Sequence, residues 1–100
     1  MMEELEKIRS KINNFYDENG KLISYPAKKS LREPVLSVIA EKFECDHLYT
    51  EKEVNEIIKA NIAFSDVELI RRELIEHRLL GRRGDGSAYW RQMENTMIKG

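Results

Sequence analysis

Two helix starts stand close together in this chain and leave little freedom for what lies between them. Thr50-Glu51-Lys52-Glu53 is a capping box: the Thr50 hydroxyl can accept from the third helical amide while Glu53 reaches back to the Thr50 amide. Ser65-Asp66-Val67-Glu68 repeats the pattern. The first predicts a helix to about Asn61 that turns Val54, Ile57 and Ile58 inward. The second predicts a helix to about Arg78 with Val67, Ile70 and Leu74 on one face. Only Asn61-Ile62-Ala63-Phe64 breaks the two, so they form a helix-turn-helix pair. Leu79–Arg83 and Ala88–Arg91 then flank Gly84-Asp85-Gly86-Ser87, where glycine supplies the positive φ of a tight hairpin turn.

Upstream, Leu5, Ile8, Ile12 and Phe15 follow a helical spacing that predicts a helix over 3–16, stopped by Asn19-Gly20. Lys21–Tyr25 is a short strand or an extended connector ending at Pro26. A further helix is expected from Leu31 to Glu44, with Pro34 in its first turn and Leu31, Val35, Val38, Ile39 and Phe43 as its apolar stripe. Leu48-Tyr49 reads as a short extended piece, and 92–100 as a polar tail. The order predicts a mostly α, α+β class: a winged helix-turn-helix with an extra N-terminal helix and a C-terminal hairpin wing, in one domain over 1–100 with its core at 21–91. A lone hairpin is marginal in water, so Tyr89, Trp90 or both are expected to pack on the helices.

Several blocks of the chain resemble a bacterial domain family of unknown function. They are Phe15–Gly20, Tyr25-Pro26-Ala27-Lys28, Tyr49–Ile57, Arg71-Arg72-Glu73-Leu74 and Gly86–Arg91, in order. The resemblance covers about residues 12–91. It implies a domain found alone or attached to helix-turn-helix regulators, and it implies no catalytic residues. In that family a glycine usually precedes the Leu-Leu after the last core helix; here Arg78 stands there. A left-handed backbone at Arg78 costs about 1 kcal/mol over glycine.

Charge sets the functional expectations. Lys and Arg number 17 and Asp and Glu 18, a formal net charge of -1, which excludes a polyanion binder working by bulk charge. A DNA-contacting regulator must use a local patch. The candidates are Arg71, Arg72 and His77 of the second helix of the pair, Arg82, Arg83 and Arg91 of the wing, and Lys28 and Lys29. The outward face of that second helix carries one positive residue, Arg72, against Glu68, Glu73 and Glu76, which suits phosphate poorly. The alternative is a protein-contact module, through a second copy or a regulator, with Leu5, Ile8, Ile12 and Phe15 as a candidate dimer stripe. A continuous positive stripe joining Lys28, Arg72 and Arg82 favours DNA, and interspersed signs favour protein contact.

Cys45 is the only cysteine, and Cys45, His47 and His77 fall short of the four ligands of a structural zinc site. Neither a metal, a cofactor nor enzyme chemistry is expected. With no long apolar run, the expected setting is soluble and cytoplasmic.

Overall fold

The computed structural model describes Lys7 and residues 10–92. Its elements are α1 (Lys29–Ala40), α2 (Glu51–Asn61), α3 (Val67–Glu76), β1 (Leu80–Arg82) and β2 (Tyr89–Arg91). This is a small α+β arrangement of helices and one two-stranded antiparallel hairpin. One apolar cluster joins the elements, with Leu22, Val35, Leu36, Val54, Ile58, Ile70 and Leu74 fully shielded from solvent.

The stretch before α1 is helical over residues 10–13 and then turns, so the helix expected over 3–16 stops short of its C-terminal end. Tyr16 is drawn away by an antiparallel bridge to Leu22 and by its hydroxyl, which donates to the Val35 carbonyl at 3.1 Å. Asp17 Oδ1 accepts from the Asn19 and Lys21 amides, and Gly20 supplies φ of 81°. Leu22 is the second anchor. Its amide donates to the Asn61 carbonyl at 2.9 Å and its carbonyl accepts from Ala63 at 2.7 Å. These bonds hold the end of α2 in extended conformation at Ile62, and this places the break between α2 and α3.

Helix α1 begins two residues before the expected start, so Pro34 sits within the helix rather than in its first turn. Lys28 at the N-cap makes no side-chain cap, which is why no local signal marks this start. The helix also ends at Ala40, and Phe43 reaches the core from the turn that follows. Leu36 and Ala40 are buried beside the expected Val35 and Ile39, whereas Leu31 and Val38 are only partly covered.

Both halves of the Thr50 capping box are formed: Thr50 Oγ1 accepts from the Glu53 amide at 3.1 Å and Glu53 Oε1 accepts from the Thr50 amide at 2.8 Å. At α3 the cap is Asp66 rather than Ser65. The Asp66 carboxylate accepts from the Leu69 amide at 3.1 Å, and a carboxylate is the stronger acceptor at a helix N-terminus. The far end of α3 closes at His77, short of Arg78. The Leu79 amide donates to the Leu74 carbonyl and the Arg78 amide to the Ile75 carbonyl, with Arg78 at φ of 61°. This is a Schellman ending with arginine at the left-handed position that glycine usually fills.

The hairpin pairs Leu80 with Arg91, Gly81 with Trp90 and Arg82 with Tyr89. Its turn places the positive φ at Gly86, 76°. Tyr89 is buried and exchanges both backbone hydrogen bonds with Tyr49, each 2.8 Å. Trp90 instead lies across Gly81: a Cβ there would meet the indole at 2.5 Å, so the close approach requires glycine. Of the two aromatic residues, Tyr89 joins the core and Trp90 covers its own hairpin.

Arg78→Gly is expected to raise stability by about 1 kcal/mol, because it relieves the left-handed backbone. Thr50→Ala is expected to lower it by about the same amount. Urea denaturation of each variant measures both effects.

Candidate functional site

The capping box at Thr50 fixes the phase of α2, which sets Glu51 and Asn55, four residues apart, on one face beside α3. Arg71 of α3 is mostly buried there. Its guanidinium hydrogen-bonds Asn55 Oδ1 and lies 3.9 Å from Glu51 Oε2. From the hairpin, the Tyr89 hydroxyl donates to Glu51 Oε1 at 3.1 Å. One carboxylate thus ties α2 to α3 and to β2. The Arg82 guanidinium lies over the Tyr89 ring, 5.9 Å from its centroid. Burial, and then the bond to Glu51, pushes the Tyr89 phenol above its ordinary pKa.

Around this linkage runs a groove of two lobes. The first, about 340 Å³, lies between α3, the hairpin and the start of α2, lined by Glu51, Glu68, Arg71, Arg72, Ile75, Glu76, Arg82 and Tyr89. The second, also about 340 Å³, follows α2 and α3, lined by Lys52, Asn55, Glu56, Lys59, Val67, Glu68 and Arg71. Glu68 and Arg71 line both lobes, so the two are adjacent. The lining alternates in sign: Lys52, Lys59, Arg71, Arg72 and Arg82 against Glu51, Glu56, Glu68 and Glu76. Arg71 and Glu51 face each other within the linkage, which leaves four cations and three carboxylates toward solvent.

The expected DNA-contact residues fall into three groups. Arg72 and Arg82 are exposed in the groove, and Arg83 is exposed next to Arg82. Lys28 and Lys29 are exposed at the start of α1, away from the groove lining. Arg71, His77 and Arg91 are engaged within the chain. His77 lies between Glu33 Oε1 at 3.4 Å and Glu73 Oε1 at 3.6 Å, and Arg91 donates to the Phe43 carbonyl at 3.3 Å. Arg32, in the basic stretch beside Lys28, donates to the Pro26 and Ala27 carbonyls. Of the dimer stripe, Leu5 and Ile8 lie outside the described residues. Ile12 is buried in the chain's own core and Phe15 packs against it.

Lys52 and Lys59 are groove residues that the sequence did not single out. Their spacing with Asn55 along one helical face is the signal that marks them. Glu51, which the sequence marks only as part of the capping-box segment, is the centre of the linkage. Among the described residues no group of three or more His, Cys, Asp or Glu side chains could hold a metal ion. No described helix is long and apolar enough to cross a membrane.

Four of the five sequence blocks that carry the resemblance meet one another through α3. Tyr25 donates to Glu73 Oε1 at 2.7 Å, Arg71 meets Glu51 and Asn55, and Tyr89 meets both Tyr49 and Glu51. A family model described as an uncharacterized protein conserved in bacteria, DUF2087, matches residues 21–91. No curated protein and no solved structure matches the chain.

The phenols give a pH signature. Burial raises Tyr16 from 10.0 to about 12, and burial with the Glu73 bond raises Tyr25 further. A raised phenol pKa means that folding favours the neutral form. The contribution is fully present below pH 10 and is lost as pH climbs toward and past the folded values. Denaturation midpoints are expected to hold through pH 9 and to fall between pH 10 and 12, with a shallower fall in Tyr25→Phe and Tyr89→Phe.

Proposed function

The chain belongs to the bacterial DUF2087 family, and we propose that it is a winged-helix module that works by contacting protein, with the two-lobed groove as its contact surface. The winged-helix reading is supported by the order of α1, the Tyr49 segment, α2, α3 and the hairpin, and by the single antiparallel bridge that ties Tyr49 to Tyr89 beside the hairpin. The observation that carries the functional reading is the alternation of sign along the groove. A phosphate backbone is uniformly negative and meets Glu56, Glu68 and Glu76 as repulsion. A polypeptide carries both signs and can answer both. Three of the eight basic candidates for DNA contact are also engaged within the fold, which thins the positive surface.

A second reading keeps DNA as the partner. It is favoured by Arg82 and Arg83, adjacent and exposed on the hairpin, with Arg72 across the first lobe. On that reading the wing arginines meet phosphate and position the helix.

Binding to a mixed-sequence duplex at low salt separates the two. No measurable affinity is expected. Affinity that falls steeply with salt, with a slope reduced by about one in each of Arg82→Ala and Arg83→Ala, would replace the protein reading with the DNA reading.

A further inference from the structure

The outward face of α3 carries a regular charge row. Glu68, Arg72 and Glu76 are all exposed, sit four residues apart and line the first lobe. On a helix this spacing repeats about every 6 Å. Side chains on one face of an extended chain, two residues apart, repeat every 6.4–6.8 Å. The row therefore has the pitch of a strand face whose charges alternate in the opposite sense. Arg82 and Tyr89 wall the lobe on the hairpin side.

A helical partner fits this surface less well. Helix-in-groove recognition seats apolar anchors every three or four residues in an apolar trough. Among residues lining the two lobes, the aliphatic side chains are Ile75 in one and Val67 in the other, and the rest of the walls are mostly charged. Charge pairs rather than buried apolar anchors must carry the recognition.

Resting on the protein-contact reading, we infer that the groove takes an extended polypeptide segment with the pattern Lys-x-Glu-x-Lys facing Glu68, Arg72 and Glu76. Each lysine meets one carboxylate and the central glutamate meets the Arg72 guanidinium. The pairs are solvent-exposed and individually weak, so binding is modest and sensitive to salt.

Fluorescence anisotropy on the full chain at low salt tests this with three labelled peptides. One has a Lys-Ser-Glu-Ser-Lys centre, one the reversed Glu-Ser-Lys-Ser-Glu centre, and one the same charges at helical spacing, Lys-Ser-Ser-Ser-Glu-Ser-Ser-Ser-Lys. The first is expected to bind at least about tenfold more tightly than the second. The triple variant Glu68→Lys, Arg72→Glu, Glu76→Lys changes only exposed positions, and it is expected to invert that preference while keeping the wild-type melting temperature within a few degrees. Equal binding of the first two peptides, or a preference unchanged in the triple variant, overturns the inference. Tighter binding of the helically spaced peptide overturns the extended geometry and leaves the protein-contact reading standing. Duplex binding with no peptide binding removes both.

Discussion

The structure turns on Tyr89. A two-stranded hairpin of three residues a side does not hold itself in water. Here its inner strand is held at one residue by three bonds: two backbone hydrogen bonds to Tyr49 and a hydroxyl donated to Glu51. Burial of the ring adds apolar stabilisation on the order of 2 kcal/mol. Tyr49 is itself fixed: its hydroxyl accepts from the Glu44 amide at 2.7 Å, and its ring meets Phe43 edge-on at 5.3 Å. The hairpin is therefore continuous with the core. Because Glu51 also reaches Arg71, the same carboxylate links the hairpin to α3 beside the groove.

Where interactions are local, the sequence declared them. Thr50 and Glu53 are three residues apart, and their reciprocal bonds needed nothing else from the fold. The hairpin turn is likewise local, marked by its glycines, whereas the left-handed Arg78 is signalled only by the glycine that the resembled family carries at that position. Distant contacts moved the boundaries instead. Helix α1 begins at a lysine with no capping side chain, so its start is set by packing. Leu22, among the most buried residues, sits in the unremarkable run Lys21–Tyr25, and its bridges to Tyr16 and Ile62 are invisible without the fold. Ser65 and Asp66 are both able caps, and choosing between them takes the backbone.

The site was legible to a similar depth. Arg72, Arg82 and Arg83 are exposed, as arginines on a solvent face should be. Arg71 stood with Arg72 among the expected contacts, yet it lies about 100° round the helix from it, in the linkage with Asn55 and Glu51. Arg91 and His77 were likewise drawn inward by partners remote in sequence, Phe43 and Glu33. What survives is a groove lined by charges of both signs, which is the basis of the proposed protein-contact reading.

Backbone amide hydrogen exchange, read residue by residue, tests the central claim that Tyr89 locks the hairpin to the helices. The Tyr49 and Tyr89 amides are expected to exchange as slowly as those of Ile58 and Leu74 in the core, while Gly84 and Asp85 at the turn exchange quickly. Exchange of Tyr49 and Tyr89 at the rate of the turn would mean that the hairpin opens independently, and a groove of fixed width would not exist.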